Sequence, residues 1–384
     1  MMVHFRKRFN EADLSRINEA ITRTEAKKKA ESKANDDSDP DEEPPPEGRL
    51  LIDATCAPAD IRFPTDLSLV NEGREKTEEL IDQLFEPLIG SRRKPRTYRI
   101  EARKAFLAIT KQRKAKGKKK RAALRKQLGY LGRNLRTIDE LLDCEQSARA
   151  ELSTKQWRSL WIIREMHRQQ QWMYQEQENR IPDRIVSISQ PHVRTIVRMK
   201  AGRAYEFGAK LSVSHEGGYC FVERLSWDPY NECNDLEAQA EAYRRRHRCY
   251  PAVICADQIY RTRANRIWCA AHSIRLSAIA LGRPSANKAK EQRKELRTDE
   301  KARNAIEGKF GQAKRAHSLG CIMTKLAQTS ITAILMNFIV INLKRAVASP
   351  RFFAFFQQLL GLMNWNEAAS RPPRSSRLNF VRVP

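Results

Sequence analysis

Three acids stand where phosphodiester chemistry needs them. Asp53 ends the apolar run Leu50-Leu-Ile52, Asp257 ends Ala252-Val-Ile-Cys-Ala256, and Glu307 lies in a stretch with helical periodicity. Hydrolysis or transesterification of a phosphodiester uses two divalent ions about 4 Å apart, one at the attacking and one at the leaving oxygen. Magnesium is a hard ion that takes oxygen ligands and keeps several waters, so three carboxylates from separate elements suffice to seat a pair. The expected ligands are therefore Asp53, Asp257 and Glu307, with manganese as the alternative ion. Asp60 and Asp66 are rival first ligands by position. Asp53 is preferred because it directly terminates the apolar run.

The surroundings of Glu307 strengthen this reading. Arg303, Glu307 and Lys314 are four and seven residues apart, which puts them on one helix face, while Ala302, Ile306, Phe310 and Ala313 supply apolar contacts to the body. An acid flanked by two cations suits a metal ion and a phosphate. The plainer account is an i,i+4 pair between Arg303 and Glu307, worth a few tenths of a kcal/mol.

Elements must position these groups. Arg49 to Thr55 has the pattern of a buried strand. Residues 8–34 form a polar helix, separated from that strand by the acidic, proline-rich stretch 35–47. From Asp66 to Asn179 the period is helical: Leu124, Leu128, Leu131, Leu135, Ile138 and Leu142 form a seam, and a helix over 153–178 with Trp157, Leu160, Trp161 and Trp172 is its expected antiparallel partner. Alternation from Tyr205, a turn at Glu216-Gly-Gly218 and a return over Tyr219 to Leu225 predict a β-hairpin. Asn234 or Asp235 caps a helix to Arg248, and Thr262 caps another to His272. A short strand over 274–279, a charged helix through Glu307 and an apolar helix over 322–345 complete the order.

Charge names the partner class. Seventy-two Lys and Arg face 46 Asp and Glu, a net +26 whose self-repulsion calls for an anionic partner; nucleic acid is the leading one, with an anionic membrane surface as the alternative. Ten of the 16 residues between 111 and 126 are basic, with no acid among them, so Lys118, Lys119, Lys120 and Arg121 are candidate phosphate contacts; a solvated helix face is the alternative. Eight cysteines without a C-x-x-C pair offer neither a zinc ribbon nor a redox motif, and most are expected to be small buried residues of a reducing cytoplasm. No apolar leader opens the chain, and the run from Ile331 to Leu343, interrupted by Asn337 and Asn342, fits a core helix rather than a membrane span. His215 and His272 are expected to hydrogen-bond or cap rather than ligate. Trp227 is expected to pack, with base stacking as the alternative.

The Arg303-x3-Glu307-x6-Lys314 spacing, with Ile52-Asp53-Ala-Thr-Cys-Ala-Pro-Ala-Asp60, Tyr205-Glu-Phe-Gly-Ala-Lys210 and Ala256-Asp257-Gln-Ile-Tyr260-Arg-Thr-Arg263, resembles the DDE transposases of bacterial insertion sequences over residues 1–346. That resemblance implies an α/β fold: an RNase H-like mixed sheet flanked by helices, with a long helical insertion after its first strand. It also implies metal binding by Asp53, Asp257 and Glu307, and DNA contacts by Arg303 and Lys314. The activity implied is strand cleavage by activated water followed by attack of the freed 3′-hydroxyl on target DNA, performed by a homodimer on DNA in a bacterial, nucleoid-associated setting. Position 300 departs from the family, with Glu in place of the usual Tyr. The organisation expected is a helix and linker over 1–47, a first core strand over 48–65, a basic helical insertion over 66–200, the rest of the catalytic core over 201–346 and a tail over 347–384. Relatives carry an end-recognition domain ahead of the segment where this chain begins. The alternative function is accordingly a truncated, inactive DNA-binding remnant.

Overall fold

The computed structural model describes residues 8–31, 44–112, 116–144, 152–200, 203–277 and 286–348. The tail expected over 347–384 falls outside these residues apart from 347 and 348, and the acidic stretch over 35–47 apart from 44–47.

One mixed sheet carries the molecule. Its first strand, β1 (Arg49–Pro58), is apolar on both faces: Leu50, Ile52 and Cys56 look one way, Leu51 and Ala57 the other, and all five are buried. A strand covered on both faces lies in the interior of the sheet. Four further elements are β2 (Arg194–Lys200), β3 (Arg203–Glu216), β4 (Tyr219–Ser226) and β5 (Val253–Ala256), followed by the short β6 (Arg275–Leu276). The strand order is β2-β3-β1-β5-β6, with β4 also paired to β3. β3 runs antiparallel to β1, β2 and β4, whereas β1, β5 and β6 are parallel neighbours. The expected mixed, RNase H-like sheet is present, and the hairpin turns at Gly217 and Gly218, both with positive φ.

Gly208 explains part of the Tyr205–Lys210 pattern. It pairs with Pro58 in the β1–β3 ladder, and a Cβ at this position would stand 2.1 Å from the carbonyl oxygen of Ala57. Only a residue without a side chain permits that approach.

Helices cover both faces. α1 is Glu11–Glu31; α2 (Asp66–Phe85), α3 (Arg99–Thr110), α4 (Gly117–Leu142) and α5 (Thr154–Glu176) follow β1; α6 (Leu236–His247) and α7 (Arg263–Ala271) flank β5; α8 (Ala286–Ala316) and α9 (Ala327–Val347) come last. The α4 seam is buried as expected, at Leu128, Leu131, Leu135 and Ile138, with Leu124 and Leu142 partly covered. Its partners are α2, through Val70, Ile81 and Leu84, and α5, through Leu160, Ile163 and Met166. The tryptophans expected in that seam are not there: Trp157, Trp161 and Trp172 are exposed on the opposite face of α5. The inserted helices end at Glu176, and Arg194–Lys200, expected within the helical region, is instead a strand of the sheet.

On one face of the sheet Leu51, Leu211, Val213 and Cys255 meet Ile306, Phe310 and Ala313 of α8 and Ile334, Phe338 and Ile341 of α9. On the other, Leu50, Ile52 and Ile254 meet Leu236, Ala240, Tyr243 and Cys269 of α6 and α7. α9 is long and apolar enough to cross a membrane by composition, yet Ile334, Leu335, Phe338, Ile339 and Ile341 are buried within this core, as a core helix requires. Five cysteines (56, 220, 233, 255 and 269) are buried, in line with the expectation.

Candidate active site

The parallel pairing of β1 and β5 ends at Ile52 opposite Ala256. Asp53 and Asp257 are each the next residue, so two carboxylates emerge where the parallel pairing stops: Asp257 follows the last residue of β5, whereas Asp53, expected at a strand end, lies within β1, which runs on to Pro58 against β3. The carboxyl end of a parallel strand such as β5 is where open α/β sheets bind ligands. Alternation decides the face of Asp53: it lies two residues from Leu51, which packs with Ile306 and Phe310, so its side chain looks toward α8.

α8 is held there by more than its apolar stripe. Asp299, almost wholly buried, accepts two bonds from the Arg275 guanidinium on β6, at 2.7 and 3.0 Å, and lies 4.0 Å from Arg49 at the start of β1. With the helix pinned at Asp299 and seated at Ile306, the next exposed turn places Arg303 and Glu307 at the sheet end. Arg303 Nη1 is 3.6 Å from Oδ2 of Asp53, and its Nη2 is 3.0 Å from Oε1 of Glu307. One guanidinium thus bridges the first and third acids, and the ordinary i,i+4 pair expected as the plainer account forms as one half of that bridge.

The electrostatics single out Asp53. Burial pushes its carboxyl from the ordinary 3.8 up to about 6. The Ala54 backbone N–H, 2.8 Å from Oδ1, and the Arg303 charge pull it back down, while Asp257 and Glu232 push it further up. Asp257 is exposed and accepts the Gln258 N–H at 2.7 Å, capping a short 3₁₀ turn over Gln258–Tyr260.

An all-oxygen donor set with excess negative charge at Asp53 and Asp257 fits a hard divalent cation. Asp257 is close enough to raise the Asp53 carboxyl by its charge, whereas Glu307 is held off by Arg303. Among the described residues no three His, Cys, Asp or Glu side chains stand together at metal-holding distance, because Arg303 lies between Asp53 and Glu307.

Sequence reasoning missed three neighbours. Glu232 adds to the charge felt by Asp53 and is 3.0 Å from Lys210 Nζ, which also donates to the Tyr230 carbonyl at 2.8 Å. Lys210 closes the quoted Tyr205–Lys210 motif, so a signal for it existed; Glu232 had none. Tyr260 is fully buried with no hydrogen bond to its hydroxyl, and burial, with the charges of Glu232 and Asp53, holds that phenol far above its usual range. It stays protonated and is no nucleophile.

The other expectations resolve locally. Asp60 is bound by Lys325 at 2.7 Å, and Asp66 by Arg184 and by Gln170 at 3.1 Å, so both rival acids are engaged away from Asp257. His215 is buried within β3, its imidazole pushed down to about 4 by burial and by Lys309, and His272 bonds the Trp268 carbonyl at 2.9 Å. Trp227 packs edge-on against His192, with ring centres 4.3 Å apart. Lys314 is half-buried in the last turns of α8, and Glu300 is exposed one residue past Asp299. Lys118, Lys119, Lys120 and Arg121 are exposed in the first turns of α4, and Arg121 lies over the Tyr174 ring at 4.4 Å.

Comparison with family models matches residues 254–344 to the transposase DDE domain. The matched segment runs from β5 through most of α9 and contains Asp257, Arg303, Glu307 and Lys314; Asp53 precedes it. No curated protein and no solved structure matches the chain. The match supports the DDE transposase resemblance and a transposase function, with DNA as the partner that function implies.

Proposed function

From a chain that carries a transposase DDE domain over residues 254–344, we propose that the protein cuts and joins DNA strands of a mobile element at Asp53, Asp257 and Glu307. The observation that carries this reading is the emergence of Asp53 and Asp257 from adjacent parallel strands, with Arg303 and Glu307 of α8 closing over them. Asp53 and Asp257 would hold a pair of magnesium ions with help from Glu307; when bound, these ions supply an activated water and stabilise the leaving oxygen in an in-line displacement.

The chain's own residues do the rest. Arg303 offers donors that turn from carboxylates to the scissile phosphate, since a guanidinium matches either partner in geometry. Lys314, on the same face of α8, extends the cationic track along the strand. The exposed Lys118–Arg121 turn of α4 supplies charge for duplex held away from the cut, strengthening affinity without reading sequence. The acting form is a homodimer on paired DNA ends.

The test is nicking of supercoiled plasmid with and without Mg²⁺ by the wild type, Asp257→Asn and Glu307→Gln. Nicking should require the ion and fall at least a hundredfold in each variant, while duplex affinity changes little. Equal nicking by all three proteins would remove the catalytic reading; duplex binding with no nicking by the wild type would leave a DNA-binding protein alone.

A further inference from the structure

Half of the six tryptophans in the chain are exposed on one helix. Trp157, Trp161 and Trp172 of α5 are 39, 65 and 39 % exposed, although an indole is among the side chains most strongly driven out of water. Their spacing is not scattered. At about 100° per residue, Trp157, Trp161, Arg164, Arg168 and Trp172 fall within an arc of roughly 80°, a stripe rising about 22 Å along the axis. The opposite face, Leu160, Ile163, Met166 and Met173, is buried, so the bundle is already satisfied and leaves the stripe uncovered. An apolar stripe of this extent on a solvent face marks a contact surface.

We propose that this stripe is a platform for unpaired DNA, with bases stacking on the three indoles and phosphates meeting Arg164 and Arg168. It rests on the reading of the protein as one that opens DNA strands. Two features select single-stranded nucleic acid over a second copy of the chain. First, two arginines sit between the indoles of Trp161 and Trp172: Arg164 lies 5.6 Å from the Trp161 ring and Arg168 is 64 % exposed. A two-fold contact through this stripe would gather Arg164 and Arg168 of both copies, four guanidinium groups, into one interface on a chain already carrying +26. Second, the acids that pair with these arginines among the described residues lie at the surface, Asp139 for Arg164 and Glu165 for Arg168, in pairs that a phosphate displaces at little cost. Duplex DNA offers phosphates but hides its base faces, and unpaired bases offer both.

The experiment titrates the full-length protein with an oligothymidylate of about 16 nucleotides, within the span of single-strand sites. Tryptophan fluorescence is the readout, and duplex affinity and sedimentation are followed in parallel. The wild type should show quenching on binding. The double variant Trp157→Leu/Trp161→Leu should bind the oligonucleotide at least tenfold more weakly with unchanged helix content, and Trp157→Tyr/Trp161→Tyr should recover most of the affinity, because a phenol still stacks. Unchanged affinity in the leucine variant overturns the proposal. So does loss of self-association in that variant with oligonucleotide binding intact, which would make the face an interface between copies. A wild type that binds and nicks duplex without binding the oligonucleotide overturns this inference alone; one that binds neither overturns the proposed function with it.

Discussion

The Arg303 guanidinium stands 3.6 Å from Oδ2 of Asp53, reaching from α8 to the middle of β1 while its other amino group holds Glu307 at 3.0 Å. A single cation thus occupies the position between acids on two elements that are 254 residues apart (307 − 53 = 254) in the chain. Its charge lowers the Asp53 carboxyl against the larger upward push of burial. Arg303 therefore competes electrostatically with any ion at Asp53 and Asp257, and orders the acids when no ion is present.

Replacing Arg303 by Gln separates these two effects. Loss of one positive charge a few ångströms from a divalent ion should tighten Mn²⁺ binding by roughly tenfold, about 1.4 kcal/mol, a modest share of the Coulomb interaction at that range. Strand cleavage should fall at the same time, because the donors for the phosphate are gone. Electron paramagnetic resonance of free Mn²⁺ measures the first and plasmid nicking the second. Weaker Mn²⁺ binding in the variant would mean that Arg303 chiefly aligns the acids and does not oppose the cation.

Asp53 makes the stability of the metal-free protein depend on pH. Its carboxyl titrates near 6 in the fold against an ordinary 3.8, so the folded state holds the proton more tightly than the unfolded chain. The sign follows: the favourable contribution is complete below about pH 4 and is lost as pH rises through 6. With two units of displacement, ionised Asp53 costs roughly 3 kcal/mol at pH 8. Asp53→Asn removes that cost. Urea unfolding in the presence of a chelator should find the variant more stable than the wild type at pH 8, with the difference vanishing toward pH 4. A variant that is less stable at pH 8 would show that Arg303 already compensates the charge in full.

What could be read in advance divides along local and non-local lines. β1 and β5 were legible because an apolar run leading to an acid is a local pattern, although β1 does not stop at Asp53 but continues to Pro58 against β3; the hairpin was legible because Gly217 and Gly218 sit between two alternating stretches. Thr262 was legible as a cap because its hydroxyl bonds the Asn265 N–H within the same turn. β2 was not: Arg-Thr-Ile-Val-Arg-Met-Lys carries charge at its first, fifth and seventh places and is a strand only because β3 is long enough to pair with it. Composition misled at Trp157, Trp161 and Trp172, since periodicity finds an apolar stripe without saying which of two stripes is buried. The pairing of acids was foreseeable from the two apolar runs that lead to them. The double grip of Arg303, and the approach of Glu232, depend on how α8 and the segment before α6 dock, which no window of sequence contains.

Asn342 gives a further case in which a residue that looks like an interruption is a fastener. It is fully buried in the apolar helix α9, and its side-chain oxygen accepts the Cys220 N–H at 2.8 Å. Its amide donates to the Cys220 carbonyl at 2.6 Å and to the Asn18 side chain at 2.8 Å. One amide therefore ties α9 to strand β4 and to α1, where Leu14 packs against Leu335 and Ile339. Asn342→Leu keeps the volume and strands the Cys220 N–H without a partner in the core; Asn18 still reaches the Cys220 carbonyl at 3.2 Å, so the acceptor side is spared. A buried donor left unmade costs about 1–3 kcal/mol, and loss of the bond to Asn18 adds up to about 1 more. The urea midpoint should drop by that free energy divided by the slope, which stays unchanged, and amide exchange should quicken first in α1, which loses a tether while its apolar contacts remain. An unaltered midpoint would mean that the leucine's added burial offsets the lost bonds, and α1 exchange at the wild-type rate would show that Leu14 alone holds the helix in place.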